Sequence, residues 1–173
     1  TKIEEKIEEL STGKKETQKA SNSGIIVKGI DNCLVKLSKC CNPLPGDEII
    51  GYITKGRGVS VHRKDCTNVS DLLKEENRII DVKWYNDEKK SSYTVDIEIF
   101  ANDRDGLLVD IMKKINDSKV KLLGINARAT KERIAITDAT IEIDSLESLN
   151  QLTRELRKVD SVYEVNRKNR GKE

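Results

Sequence analysis

Three cysteines and the only histidine of the chain have the chemistry of metal ligands and lie within one short stretch of sequence. They are Cys40, Cys41, His62 and Cys66. Thiolate and imidazole are the ligands that zinc prefers, and a closed structural site needs four of them. His62 and Cys66 have a spacing that puts two ligands on one turn. Adjacent residues of an extended chain point in opposite directions, so Cys40 and Cys41 can share a metal only if the chain bends.

The segment after the cysteine pair offers such a bend. Asn42-Pro43-Leu44-Pro45-Gly46-Asp47 has strong turn chemistry, because two prolines fix φ and Gly46 permits a positive φ. Two interpretations stay open from the residues alone. One is a zinc site, and the other is a small core of buried thiols with a histidine at the surface. Cys33 lies among apolar residues, and we expect it to be a core thiol.

A second candidate site is the basic turn Lys55-Gly56-Arg57-Gly58, which joins two predicted strands. Bare backbone and two cations suit contact with a phosphate backbone, although an ordinary exposed turn has the same composition. Residues 28–64 hold seven Lys or Arg, Arg63 among them, against three acids. The predicted RNA-binding residues are Lys55, Arg57 and Arg63. The net charge of the whole chain is only +2, so a global basic footprint is absent.

A third candidate is a loop that precedes a predicted helix. It reads Asn102-Asp103-Arg104-Asp105-Gly106-Leu107-Leu108. A helix N-terminus with glycine nearby offers free N–H groups to a carboxylate. Alternatively, Asp103 or Asp105 caps the helix and no ligand binds.

The hydrophobic pattern predicts two structured regions after a polar arm. Residues 1–23 read as a helix stub and a flexible linker, and residues 24–85 as a small Cys/His αβ domain with a hairpin at 48–62 and a third strand at 78–84. A charged stretch at 86–90 marks the boundary. Residues 91–168 alternate or repeat in the order β-α-β-β-α-β, which is the ferredoxin-like arrangement. The predicted fold class is therefore α+β.

Several function classes find no support in the sequence. One histidine excludes a hydrolase centre built from several histidines, and no P-loop, GxSxG, GxGxxG or HExxH motif occurs. We therefore expect no catalytic centre and no organic cofactor. The longest apolar runs fall short of a membrane span and no signal peptide opens the chain, so we expect a cytoplasmic protein without a membrane partner.

Longer motifs resemble one known family. The run GIIVKGIDNCLVKLSKCCNPLPGDEIIGYITKGRGVSVHRKDC, residues 24–66, resembles the conserved-cysteine or zinc-finger domain of the long Rel/RelA/SpoT proteins, which synthesise and hydrolyse (p)ppGpp in the bacterial stringent response. DRDGLLVDIMKKIND, residues 103–117, followed by INARAT, residues 125–130, resembles the ACT domain that ends those proteins. Cys33 departs from the family, whose members usually carry an aliphatic residue there.

The resemblance implies a regulatory fragment of a GTP pyrophosphokinase whose catalytic domains lie outside this chain. It implies that this region contacts the ribosome and tRNA, senses uncharged tRNA, and controls the catalytic domains of the parent chain. The alternative that it implies is an amino-acid-binding ACT sensor that also forms a homodimer. For an amino-acid ligand the carried positions are the loop 102–107 and three residues of the following strand. These three are Gly124, Ile125 and Asn126.

Overall fold

The computed structural model describes residues 24–29, 33–56, 58–85 and 92–169. The predicted helix stub and linker at 1–23 lie outside the described residues. The strands are β1 (Ile25–Val27), β2 (Val35–Leu37), β3 (Ile49–Ile53), β4 (Val59–Arg63), β5 (Ile79–Ile80), β6 (Val82–Trp84), β7 (Tyr93–Asn102), β8 (Lys121–Ala129), β9 (Ile134–Ile143) and β10 (Val162–Arg167). The helices are α1 (Val69–Leu72), α2 (Leu107–Asp117) and α3 (Leu146–Arg157), with one 3-10 turn at Glu76–Arg78.

The first domain is built on two small sheets. One has the order β2-β4-β3-β5, with β2 parallel to β4, and the other pairs β1 with β6. Their shared core consists of short β-branched and aliphatic side chains. Its buried members are Ile25, Val27, Val35, Val59, Val61 and Val82. Cys33 is partly buried against this core.

The predicted hairpin is present as β3 and β4, which pair antiparallel from Ile49–Arg63 to Ile53–Val59. The single strand predicted at 78–84 is wrong. Ile79–Ile80 pairs with β3, whereas Val82–Trp84 pairs with β1. The chain changes sheets at Asp81, because β3 and β1 belong to different sheets and one continuous strand cannot pair with both.

The second domain has the predicted βαββαβ order, with the antiparallel sheet order β10-β7-β9-β8. Strand β9 alternates buried and half-buried residues along its whole length, which is the pattern of a sheet with one covered face. Helices α2 and α3 bury one stripe each. The stripes are Leu107, Ile111 and Ile115 in α2, and Leu149, Leu152 and Leu156 in α3. The predicted α+β fold class is confirmed.

One residue of the first domain belongs to the core of the second. Leu44, in the turn after the cysteine pair, is fully buried among the side chains of the second domain's core. Gly46 has φ +105°, and a Cβ there would lie 3.1 Å from the Cβ of Leu146 at the start of α3. The turn therefore packs directly on the second domain.

This packing predicts that Leu44→Ala destabilises the second domain. Removing a buried leucine side chain leaves a cavity and costs about 2–4 kcal/mol of unfolding free energy. Leu34→Ala is the matched control, because Leu34 is 79% exposed and its loss costs about 0.5 kcal/mol or less. Thermal or urea unfolding followed by circular dichroism measures both. Equal stability of the two variants would contradict the packing.

Candidate functional site: a Cys/His cluster beside a basic groove

The four residues predicted as metal ligands come together in the structure. The Sγ atoms of Cys40, Cys41 and Cys66 and a ring nitrogen of His62 all lie within 4.8 Å of one another. Cys40 Sγ lies 3.3 Å from His62 Nδ1, 3.6 Å from Cys66 Sγ and 3.9 Å from Cys41 Sγ, and Cys41 Sγ lies 3.8 Å from His62 Nδ1. In a tetrahedral zinc site with bonds of about 2.3 Å to sulfur and about 2.0 Å to nitrogen, the ligand atoms are separated by about 3.5–3.8 Å. The cluster can hold a metal ion.

A tight turn solves the geometric problem of the adjacent cysteines. The backbone N–H of Asn42 donates to the carbonyl of Ser38 at 2.9 Å, and Asn42 itself has φ +44°. This bend lets the two thiols point to the same side, whereas an extended chain would point them to opposite sides. The other half of the cluster comes from the end of β4, which supplies His62, and from the turn before α1, which supplies Cys66.

Burial sets the protonation of the ligands. Desolvation raises the pKa of Cys41 and of Cys66, and it lowers the pKa of His62. Without a cation, Cys41 and Cys66 are therefore neutral thiols and His62 is a neutral imidazole at neutral pH. A metal ion would displace the thiol protons, since the thiolate is the ligand form.

Neighbouring groups orient two of the ligands. The Arg63 N–H donates to Cys41 Sγ at 3.4 Å. Ser60 Oγ lies 3.3 Å from His62 Nε2 and 2.7 Å from Ser38 Oγ. If Ser60 accepts the Nε2 proton, Nδ1 keeps its lone pair and faces the three sulfurs. Hydrogen bonding of this kind fixes the tautomer of a metal-binding histidine.

A groove of about 570 Å³ opens beside the cluster, and Cys40 and His62 form part of its wall. Two exposed lysines, Lys36 and Lys39, line it, and it extends to Gly56 at the hairpin tip. None of the described residues that line it is acidic. The described part of the groove wall therefore offers positive charge without a carboxylate.

The three predicted RNA-binding residues have different surroundings. Lys55 is exposed at the hairpin tip. Arg57 lies outside the described residues. Arg63 is only 6% exposed, and its guanidinium donates to the side chain of Asn169 in the second domain. Arg63 is therefore not part of the exposed basic surface, and its Nε also lies 3.6 Å from Asp65 Oδ1. Sequence reasoning had counted Lys36 and Lys39 in the basic segment without giving them a role.

The predicted ligand loop lines a pocket of about 370 Å³ in the second domain. Residues 103–107 of the loop form one wall, and the other wall comes from residues 127–129 of β8 with Ala135 and Thr137 of β9. Asn102 and the predicted strand residues Gly124, Ile125 and Asn126 are not among the lining residues. The pocket therefore lies nearer the end of β8 than expected.

The alternative in which Asp103 or Asp105 caps helix α2 is wrong. The N-cap is Gly106, with φ +74°, and no side chain makes the capping hydrogen bond. Arg104 instead reaches along the loop, where Nη2 contacts Asp110 Oδ2 at 2.7 Å and the carbonyl of Asp160 at 3.1 Å. A carboxylate ligand could approach the helix N-terminus without displacing a side-chain cap.

Two family models match the chain side by side. The RelA/SpoT RIS domain matches residues 25–85, and the ACT domain matches residues 89–167. The chain belongs to the RelA/SpoT family. The predicted resemblance to the C-terminal region of these proteins is thereby confirmed. The cluster and the groove lie in the RIS domain, and the 370 Å³ pocket lies in the ACT domain.

Curated relatives carry the name of one enzyme. The GTP pyrophosphokinase of Haemophilus influenzae is 40% identical over 149 residues, which are 85% of this chain and 20% of that protein. The GTP pyrophosphokinase of Streptomyces coelicolor is 39% identical over 85% of this chain and 17% of that protein. The chain thus spans about a fifth of the length of these relatives. The solved ACT domain from the GTP pyrophosphokinase of Chlorobium tepidum covers 44% of this chain and 99% of its own, with 25% identity and a TM-score of 0.41.

Within the described ranges, no helix has both the length and the apolar character needed to cross a membrane.

The cluster geometry predicts one zinc ion per chain in protein purified without chelator. Cys41→Ser should abolish stoichiometric zinc, because three ligands do not close a tetrahedral site. Cys33→Ser is the matched control and should keep the metal, since Cys33 lies outside the cluster. Elemental analysis of the two variants and the unaltered chain decides the question. Zinc retained in Cys41→Ser, or absent from the unaltered chain, would contradict the site.

Proposed function

We propose that this chain is the regulatory part of a bacterial GTP pyrophosphokinase of the stringent response, and that it acts by binding the ribosome and tRNA. The pair of RIS and ACT domains in relatives that carry this enzyme name supports the proposal. The catalytic work belongs to other domains of the parent protein. This chain would report the state of the ribosome and of uncharged tRNA to them.

The basic groove beside the Cys/His cluster, whose described lining residues include no acid, is the observation that carries the binding proposal. Phosphate backbones are bound by Lys and Arg that need not recognise a sequence. Lys36 and Lys39 lie in the groove wall and Lys55 at its hairpin end, and all three are exposed. A zinc ion in the adjacent cluster would hold β4 and the cysteine turn in place, and so fix the wall that presents these lysines. Its role there is structural, because the four protein ligands leave no open coordination position.

The groove predicts that ribosome binding depends on these three lysines. The triple variant Lys36→Ala, Lys39→Ala, Lys55→Ala should bind ribosomes more weakly in co-sedimentation. The slope of log affinity against log salt should fall by about one for each lysine that contacts a phosphate. The charge-matched control changes Lys113, Lys121 and Lys131 of the ACT domain to alanine. Equal loss of binding in both triple variants would show a net-charge effect and contradict the groove.

The pocket at the N-terminus of α2 supports a second candidate function, an amino-acid sensor. Its volume of about 370 Å³ suits a small ligand. Backbone N–H groups of the first helical turn could receive the ligand carboxylate. Arg104 is held by Asp110 and the carbonyl of Asp160, so the helix N-terminus rather than this guanidinium is the better anion receptor. The two functions are compatible, since a ligand that prefers one conformer shifts the whole protein.

Calorimetry against the twenty amino acids tests the sensor. We expect one class to bind to the unaltered chain and to fail with Ala127→Asp, which puts a negative charge into the pocket wall. Asn126→Asp, one residue earlier on β8, should retain binding because Asn126 does not line the pocket. Heat from none of the amino acids at millimolar concentration would remove the sensor.

The edge of the ACT sheet supports a homodimer. Strand β8 pairs with β9 on one side only, and most of its nine residues are exposed. An open edge of this length can pair with a second copy. Sedimentation equilibrium of the full chain should show a concentration-dependent dimer that Leu123→Pro, a residue 46% exposed on β8, weakens. A strict monomer at every concentration would contradict it.

A further inference from the structure

The six-residue turn Asn42–Asp47 is shared between the Cys/His cluster and the ACT domain. It begins at the residue after Cys41 and ends at a carboxylate that the ACT domain binds. Leu44 fills the ACT core, and the carbonyl of Pro45 accepts the backbone N–H of Leu146 at 3.0 Å. Leu146 is the first residue of α3, whose first N–H groups lack partners inside the helix. The turn thus supplies a carbonyl acceptor for a helix N–H that has no partner within the helix.

Arg167, near the end of the last ACT strand, holds both ends of this turn. Its Nη1 donates to both carboxylate oxygens of Asp47, at 2.8 and 3.0 Å, and its Nη2 donates to the carbonyl of Asn42 at 2.7 Å. The side chains of Arg167 and Asp47 are 14% and 9% exposed. Asp47 Oδ2 also accepts the N–H of Leu44 at 2.7 Å, so the carboxylate keeps the turn closed from within.

The second half of the cluster also contacts the ACT domain. Arg63 follows His62, its N–H donates to Cys41 Sγ, and its side chain donates to Asn169, just beyond β10. Two pairs of neighbouring residues therefore join the cluster to the ACT domain. In each pair the first residue belongs to the cluster and the second contacts the ACT domain. Cys41 and Asn42 form one such pair, and His62 and Arg63 form the other.

We propose that metal binding at the Cys/His cluster and docking of the ACT domain on the RIS domain are thermodynamically coupled through the turn Asn42–Asp47, with Arg167 as the residue that clamps it. The metal orders the start of the turn by fixing Cys40 and Cys41. Docking orders the same turn by binding Leu44, Asp47 and the carbonyl of Asn42. Because each event bears part of the ordering cost of one segment, each makes the other more favourable, and the coupling is reciprocal. The inference rests on the metal site proposed above.

Zinc affinity of the full chain tests one direction of the coupling. Arg167→Gln removes the paired contacts to Asp47 and Asn42, and we expect its zinc dissociation constant, measured by competition with a chromogenic chelator, to rise about tenfold, within the usual range of coupling between sites. Arg167→Lys should fall between, because it keeps one charge contact and loses the fork. Arg154→Gln, an exposed arginine of α3, should bind zinc like the unaltered chain. Unchanged affinity in a folded Arg167→Gln would overturn the proposal.

Amide exchange in the unaltered chain tests the other direction, and it serves if Arg167→Gln does not fold. The Leu146 N–H donates across the domain contact to Pro45, whereas the Leu149 N–H donates to Ser145 within its own helix start. We expect zinc to slow exchange at Leu146 about tenfold and to leave Leu149 unchanged. Zinc that binds without slowing Leu146 would overturn the coupling alone. A chain that binds no zinc would overturn the metal site and the coupling with it.

Discussion

Three thiols and one imidazole share a space less than 5 Å across in a domain that has few apolar side chains to surround them. Among the described residues, Val69 is buried against these thiols and Ile50 is partly buried against them. Burial keeps the thiols of Cys41 and Cys66 protonated and the imidazole of His62 neutral, and neutral thiols contribute little more than small apolar groups. A cation bound by all four would convert this weak core into a strong cross-link between the cysteine turn, β4 and the turn before α1.

The Cys/His cluster lies next to the contact between the two domains. The cysteine pair lies immediately before a turn whose leucine, carbonyl groups and carboxylate are all used by the ACT domain. Trp84 adds to this contact, since its Nε1 donates to the carbonyl of Asp47 and its ring meets the edge of Tyr93 at 5.8 Å. The ACT domain thus docks on the end of the RIS domain that holds the Cys/His cluster, and residues of β2 and β4 line the basic groove beside the same cluster. The Cys/His cluster and the ACT contact are therefore joined by a few residues of chain.

The sequence predicted those features that depend on local pattern. Alternation along β9 and the stripes of α2 and α3 identified the ferredoxin-like order, because a covered sheet face and an amphipathic helix leave a period in the sequence. Residue type and closeness in sequence identified the four cluster members, because thiolate and imidazole are the ligands that zinc prefers. The second domain has the predicted order of elements because each element carries its own period in the sequence, whereas the contribution of Leu44 to its core leaves no such period.

Features that depend on distant partners were missed. Arg167 and Asp47 are 120 positions apart, and each has an ordinary neighbourhood, so no periodicity marks them as a pair. Arg63 reads as one more cation of a basic segment, although in the structure it is buried and donates to Asn169, 106 positions away. The sequence at 78–84 suggested one continuous strand. The change of sheet at Asp81 depends on β3 and β1, which pair with its two halves and are distant in sequence. Gly106 caps α2 with a positive φ where the neighbouring aspartates were the alternative caps, and the pocket is lined by the end of β8.

X-ray absorption spectroscopy at the zinc edge of the full chain tests the central claim most directly. The account predicts a four-coordinate zinc with three sulfur ligands at about 2.3 Å and one nitrogen ligand at about 2.0 Å, with the nitrogen shell showing the outer-ring scattering of a single imidazole. A spectrum dominated by oxygen or by several imidazoles would contradict it, because the chain has one histidine. Such a spectrum would place the metal elsewhere and leave the thiols as core residues.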